Sequence, residues 1–254
     1  MSDLTTVSGL VTLQNAAWPG LTTFDTGSWL YRTASGVTQR ANSVWPYAPV
    51  ESLDAAIREA EQWYRGRRQP ALFQLTSSPE DAALDERLEE LGYRVRTPTM
   101  FMVRGGAGTL PVPSHSVELY PEPVRDWFDA WWLTSGHGGP QDADTARAIL
   151  ERGRSSYALV RGGDGGVVAV GQAIHVGTLS GIYGMVTREA RRRQGLARSI
   201  VSSLVNAVPG GDGFWLSVAR SNTGAQALYR SLGFREAGEY WYRSAPPTRA
   251  LGAC

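Results

Sequence analysis

The sequence contains no lysine: all 25 of its basic residues are arginine. This absence excludes a phosphate-loop lysine, a Schiff-base lysine and a pyridoxal phosphate anchor. Arginine stays protonated at neutral pH, so charge is available for binding anions but not for base catalysis. There is a single cysteine, Cys254, which rules out an intramolecular disulfide framework and any multi-cysteine metal site. His115, His137 and His175 are the only histidines and lack the spacing of metal ligands, so no metal is expected. No run approaches the roughly 20 apolar residues of a membrane span. The first residues, Met1-Ser-Asp-Leu-Thr-Thr6, lack a basic segment followed by an apolar one, so a cytoplasmic protein without membrane association is expected. Charge of one sign is also lacking. Twenty-four acids against 25 bases leave +1, which argues against an electrostatic nucleic-acid binder.

What is present is an ordinary globular composition, 42% hydrophobic, over 254 residues, enough for one large domain or two small ones. The stretch Arg104-Gly-Gly-Ala-Gly-Thr-Leu-Pro-Val-Pro-Ser-His115 has no helical or strand period and reads as a linker.

Downstream, Val117–Tyr120 predicts a strand, Pro123–Leu133 an aromatic-rich helix and Asp144–Arg152 a second helix. Tyr157–Val160 and Val167–His175 predict strands around the glycine-rich turn 161–166. Ser180–Val186 is a strand whose glycines suggest a bulge or a close ligand approach. Arg191-Arg-Arg-Gln-Gly-Leu-Ala-Arg198 then opens a helix with Leu196, Ile200, Val201, Leu204, Val205 and Val208 on one face. A glycine turn at a helix start exposes N–H groups without intrahelical partners, at the positive end of the macrodipole. That suits a phosphate, and the arginines add charge. The strand Phe214–Val218 follows, then a helix through Ala225, Leu228 and Leu232 that ends at Gly233, and a last strand at Tyr240–Tyr242.

Two patterns in this segment resemble the GNAT superfamily of acetyl-coenzyme A–dependent N-acetyltransferases. The phosphate-loop pattern Arg/Gln-x-x-Gly-x-Gly/Ala is matched by Arg192, Gly195 and Ala197. The pattern Leu-x-Val-x-x-x-Asn-x-x-Ala-x-x-Leu-Tyr-x-x-x-Gly-Phe is matched by Leu216, Val218, Asn222, Ala225, Leu228, Tyr229, Gly233 and Phe234. The resemblance implies an α/β fold with a mixed central sheet flanked by helices. It also implies acetyl transfer from acetyl-CoA to a primary amine of a small molecule or peptide, by direct attack in a ternary complex. Met185, Val186 and Thr187 would hold the pantetheine arm and polarise the thioester. Arg192, Arg193, Gln194, Gly195, Leu196, Ala197 and Arg198 would hold the pyrophosphate. Asn222 would contact the arm or brace splayed strands, and Tyr229 would protonate the departing thiolate. Trp131, Trp132, His137 and Tyr183 are candidates for the acceptor site. His175, His137, Asp126, Asp129 and Glu239 are candidates for the base, alongside a water chain, with a structural role favoured for His175. An acyl-CoA-binding sensor with little turnover is the competing expectation. A monomer or a homodimer is compatible with this reading.

Upstream, strands are expected at Gly27–Arg32, Gln39–Trp45, Ala71–Leu75 and Thr99–Val103. Helices are expected at Ser52–Tyr64 and from a Ser78 N-cap through Leu84, Leu88 and Leu91 to Gly92. This order repeats the end of the downstream segment. Leu91-Gly-Tyr-Arg94 mirrors Leu232-Gly-Phe-Arg235, 141 positions apart (233 − 92). The same offset lays Asn42–Trp45 on Tyr183–Val186 and Ala71–Leu75 close to Phe214–Val218, which implies an internal duplication. The segment matching the phosphate turn, Val50–Ala56, has no glycine and carries Glu51, Ser52 and Asp54, and the two carboxylates would repel a pyrophosphate. The expected organisation is a degenerate GNAT-like half over 1–104, a linker over 105–115, a catalytic domain over 116–246 and a tail over 247–254.

Overall fold

A computed structural model describes residues 6–135, 138–208 and 211–245. In chain order the elements are α1 (Val7–Ala17), β1 (Thr22–Asp25), β2 (Trp29–Thr33), β3 (Val44–Pro46), α2 (Leu53–Arg65), β4 (Leu72–Thr76), α3 (Ala82–Glu90) and β5 (Arg94–Gly105). Then follow β6 (Glu118–Tyr120), α4 (Arg125–Ser135), α5 (Pro140–Leu150), β7 (Ser155–Arg161), β8 (Val167–Val176), β9 (Leu179–Thr187), α6 (Leu196–Asn206), β10 (Gly213–Ala219), α7 (Thr223–Ser231) and β11 (Arg235–Ser244). All eleven strands form one mixed sheet in the order β1-β2-β3-β4-β11-β5-β10-β9-β8-β7-β6.

The centre of that order carries an exchange. The last strand of the upstream segment, β5, pairs antiparallel with β10, and the last strand of the downstream segment, β11, pairs antiparallel with β4. β5 and β11 pair with each other, so each segment completes the sheet of the other. The exchange is latched at its far end. The Arg243 guanidinium, on β11, meets both carboxylate oxygens of Asp85 on α3, at 2.8 and 2.9 Å, while Trp241 Nε1 donates to the same carboxylate. Burial raises the Asp85 pKa, but the hydrogen bonds from Arg243 and Trp241 outweigh it and hold the carboxyl below its ordinary value.

The expected repeat is visible element by element. β3 and β4 run parallel, as do β9 and β10. Gly92 and Gly233 end α3 and α7 with φ of +81° and +83°. Tyr93 N–H donates back to Leu88 O, as Phe234 N–H does to Tyr229 O.

Helices cover both faces. α2 and α3 bury Ile57, Ala60, Tyr64, Leu84 and Leu88 over one end of the sheet. On the same face α6 buries Leu196, Ile200, Val201 and Leu204 over the other end, as its spacing predicts. α1, α4 and α5 lie on the opposite face, where Leu10, Val11, Trp18, Trp127, Trp131 and Ile149 share one core with Phe101, Trp215 and Tyr240.

Several expectations are corrected. α1 has no counterpart in the sequence pattern as read; it is buried at Leu10, Val11, Leu13, Gln14, Asn15 and Ala17, around much of its circumference. The strand expected at Gln39–Trp45 begins only at Val44. Asn42 folds the preceding residues into a closed loop, its Oδ1 accepting from Ala34 and Gly36 N–H and its Nδ2 donating to Val37 and Thr38 carbonyls. Ser78 does not cap a helix by its side chain; Pro79–Asp81 form a 3-10 turn, and Asp81 accepts from Thr76 instead. Leu91 is exposed, because α3 has ended and the chain is already turning at Gly92. The stretch read as a linker is docked along the fold. Arg104 lies within β5 and donates to the carbonyls of Gly105 and Gly108, and buried Leu110 exchanges two hydrogen bonds with Asn206 of α6. The tail at 247–254, with Cys254, lies outside the described residues.

Candidate active site

The parallel ladder between β9 and β10 stops at Ile182↔Leu216, although β9 runs on to Thr187 and β10 to Ala219. The two strands therefore part, leaving backbone groups of Tyr183–Thr187 and Ser217–Ala219 without each other as partners. The expected bulge is present. Val170 pairs with Val186 and Gln172 with Tyr183, so β9 carries one extra residue, and Gly184 takes φ +59° within it. A Cβ on Gly171 would lie 2.5 Å from Met185 Sδ and from Ile200 Cγ2, so this glycine lets Met185 settle between β8 and α6.

At the end of that opening sits the start of α6. Arg193 and Gly195 both adopt positive φ, +64° and +83°, which turns the chain sharply into the helix. Gly195 is the N-cap and no side chain caps the helix. The first-turn N–H groups thus point into an open groove of about 1000 Å³. Met185, Val186, Thr187, Arg192, Arg193, Gly195, Leu196, Ala197, Arg198, Asn222 and Tyr229, all anticipated from the sequence, line this one groove. Arg198 also donates to Ser231 Oγ at 2.8 Å, tying α6 to α7 across the groove floor.

α7 forms the other wall. Asn222 is its N-cap, the side-chain oxygen accepting from Ala225 N–H at 3.1 Å, so this residue fixes where the helix begins as well as facing the groove. Tyr229, about two α-helical turns further on, is 7% exposed and packs edge-on against Phe234. Burial pushes its phenol up to about 12.

Not every candidate reaches the groove. Gln194 points along the turn and accepts from Arg191 Nε at 3.2 Å. Trp131 and Tyr183 are buried on the opposite face of the sheet. Trp18 stacks on Tyr183 and meets Trp131 edge-on, while Trp215 Nε1 donates to the Tyr183 hydroxyl. Trp132 is half-buried, stacked on Phe128. His137 lies outside the described residues. His175 is a structural residue, each ring nitrogen within 3.1 Å of a serine hydroxyl, Ser156 or Ser180. Burial and Arg154 hold its pKa below the ordinary value. Asp126, Asp129 and Glu239 are engaged with Arg161, Arg125 and Arg220 away from the groove.

The groove also has residues that the sequence reading did not single out as site residues. Thr134 arrives from α4, and Ser221, Gly224 and Ala227 keep the mouth of α7 narrow-sided. The run of small residues at the start of α7 was the only sequence signal for the last three. Ser114 and His115 of the docked connection sit against the first turn of α6, both within 3.3 Å of Ser199 Oγ.

The matching place in the upstream segment is built differently. α2 is capped by Ser52, whose Oγ accepts from Ala55 N–H. Asp54 in its first turn forms a two-point ion pair with Arg87 of α3, at 2.7 and 3.1 Å. Leu88 occupies the position that corresponds to Tyr229. Among the described residues no group of three His, Cys, Asp or Glu side chains is placed to hold a metal ion, and no helix is long and apolar enough to cross a membrane.

The family model described as "Probable histone acetyltransferase Rv0428c C-terminal" matches residues 10–243. The uncharacterized N-acetyltransferase YobR of Bacillus subtilis is 27% identical over 241 residues, 91% of this chain and 95% of its own length. Among solved structures, a GCN5-related N-acetyltransferase from Kribbella flavida superposes with a TM-score of 0.71 at 17% identity, covering 95% of this chain and 96% of its own. A tandem GNAT protein from the clavulanic acid biosynthesis pathway superposes with a TM-score of 0.63 at 13% identity, covering 94% and 89%.

Proposed function

The chain belongs to the GNAT superfamily of N-acetyltransferases, and on that premise we propose that it moves the acetyl group of acetyl-CoA to a primary amine of a small molecule or peptide, by direct attack in a ternary complex. The observation that carries this reading is the continuity of one groove from the parted ends of β9 and β10 to the uncapped start of α6 and to Tyr229.

The groove fits the co-substrate in the terms of this chain. The free N–H groups after Gly195, the helix dipole and Arg191, Arg192, Arg193 and Arg198 form an anion cradle for the pyrophosphate. A pantetheine arm is an extended chain of amides, and the unpaired backbone of Met185–Thr187 offers it a strand edge to hydrogen-bond. An N–H there also faces the thioester oxygen, where negative charge develops as the amine attacks; preorganised donors act most strongly at that point. Holding both reactants in one site turns a bimolecular encounter into a nearly unimolecular one. Tyr229 donates a hydrogen bond to the departing sulfur. Asn222 acts by fixing the start of α7, and so the position of Tyr229.

The upstream half does not bind coenzyme A on this account. Its helix start is capped by Ser52, its charge is neutralised by the Asp54–Arg87 pair, and Leu88 has no proton to give. The competing reading, an acyl-CoA sensor with little turnover, is disfavoured by the presence of Tyr229 in the groove. Thiol release from acetyl-CoA, measured against a broad panel of amines, separates the two. Release that depends on an amine supports the enzyme; tight binding of acetyl-CoA with no release across the panel supports the sensor.

A further inference from the structure

On the face of the sheet opposite α6 and α7, the parted strands open onto a buried polar seam that the cofactor groove does not use. Tyr183 and Ser217 are the first residues of β9 and β10 beyond the end of their ladder. From Ser217 a chain of hydrogen bonds crosses the seam. Gln14 Nε2 of α1 donates to Ser217 Oγ at 3.1 Å, Gln74 Nε2 donates to Gln14 Oε1 at 2.6 Å, and Arg32 Nη2 donates to Gln74 Oε1 at 2.8 Å. From Tyr183 a second branch begins. The Arg40 guanidinium lies 5.1 Å from the Tyr183 ring centroid and donates from Nη2 to the Tyr240 hydroxyl at 3.2 Å.

Both arginines come from the upstream half, and neither has a carboxylate partner among the described residues. The ionisable groups acting on them are tyrosine phenols and each other. Arg32 is 1% exposed and burial lowers its pKa to about 10, which leaves it charged at neutral pH. Arg40 is partly exposed, on the loop that Asn42 holds closed. Each carries a buried donor with no partner, Nη1 of Arg32 and Nε of Arg40. Burial disfavours both charges; at Arg40 the phenols of Tyr240, Tyr183 and Tyr242 outweigh it and hold the pKa above its ordinary value, but each guanidinium keeps an unmet N–H and neither faces a carboxylate among the described residues. A planar anion supplied from outside resolves it, because a carboxylate offers acceptors in the geometry of a guanidinium.

We propose that Arg40, supported by Arg32, binds the carboxylate of the acceptor, so that the substrate is a small amine that also carries a carboxylate, of the amino acid class. This rests on the acetyl-transfer reading above and gives the upstream half a role: it supplies the acceptor's anion site to the strand opening of the downstream half. Tyr183 belongs to this site as the aromatic floor beneath Arg40. Burial raises the Tyr240 phenol, but the neighbouring Arg40 charge outweighs it and makes that group more acidic than an ordinary tyrosine.

The test uses the full chain, acetyl-CoA and a panel in which each L-amino acid is paired with its amide and its decarboxylated amine, together with a lysine-rich histone-tail peptide. The expected result is a kcat/KM at least ten-fold higher for an acid than for its matched amide. Arg40→Met should collapse that ratio to near one, Arg40→Lys should restore part of it, and acetyl-CoA affinity reports that each variant is folded. Equal rates for acid and amide in the wild-type protein overturn the inference without needing a variant. Thiol release with uncharged amines or the histone peptide only would overturn it and leave the acetyl-transfer reading standing. No release with any amine while acetyl-CoA binds would contradict that reading, and this inference with it.

Discussion

Replacing Tyr229 by phenylalanine removes one hydroxyl from the groove wall and leaves the ring against Phe234. Its phenol is pushed up to about 12 by burial, whereas an ordinary thiol titrates near about 8.5. The gap of about 3.5 units corresponds to about 5 kcal/mol at about 1.36 kcal/mol per unit, so complete transfer of the proton to the sulfur is uphill. On the proposed role, Tyr229 would therefore assist by sharing its proton through a hydrogen bond as the sulfur leaves. The loss on Tyr229→Phe should fall at about 10- to 100-fold in kcat, about 1.4–2.7 kcal/mol, and not at the upper end of general-acid effects. A raised pKa also fixes the pH behaviour. The group keeps its proton at every pH below about 12, so the ratio of wild-type to variant rate should stay constant between about pH 6 and pH 10. Steady-state thiol release across that range, with acetyl-CoA affinity measured separately, is the assay. An unchanged kcat would refute the role, as would a loss confined to one side of the pH range or one accounted for by weaker acetyl-CoA binding.

Other perturbations test the frame around the site. Gly171→Ala places a Cβ 2.5 Å from Met185 Sδ and Ile200 Cγ2. Overpacking of this kind costs about 1–3 kcal/mol, so thermal unfolding should fall by about 2–10 °C, with a higher KM for acetyl-CoA as Met185 shifts; an unchanged melting temperature would show that the contact relaxes freely. Asp85→Asn removes the carboxylate that Arg243 holds across the exchanged strands and should destabilise the protein by about 2–4 kcal/mol at pH 7, Glu89 remaining as a second partner. The Asp85 pKa is depressed in the fold, so its contribution is present above the unfolded value near about 3.9 and is lost as pH falls through the folded one. Urea unfolding should therefore show wild type and Asp85→Asn converging at low pH, and a gap that does not narrow would contradict the assignment.

The downstream half was legible because its signals are local. The turn before α6 and the cap of α7 are short runs whose residue types have one physical use each, and Gly195 and Gly233 take the positive φ that their positions required. The bulge at Gly184 was signalled by glycines in a strand. What escaped is non-local. α1 buries residues around much of its circumference, so no single apolar stripe marked it. The exchange of β5 and β11 was invisible because periodicity announces a strand and not its partner. Trp131 was read as a site residue, yet it packs into the core behind the opening, while Tyr183 is buried there beneath Arg40, a neighbour that no local pattern announces. Arg32 and Arg40 drew no attention, being single arginines in an apolar strand and a polar loop. Only folding brings them to one seam.

The central claim is that the groove at Gly195 is the one acetyl-CoA site of this chain and that the upstream copy has lost its own. A calorimetric titration of acetyl-CoA into the full chain, repeated with Gly195→Glu, tests it most directly. One molecule bound per chain, and no binding once a carboxylate stands at the start of α6, is the predicted result. Two molecules per chain, or undiminished binding to Gly195→Glu, would contradict it.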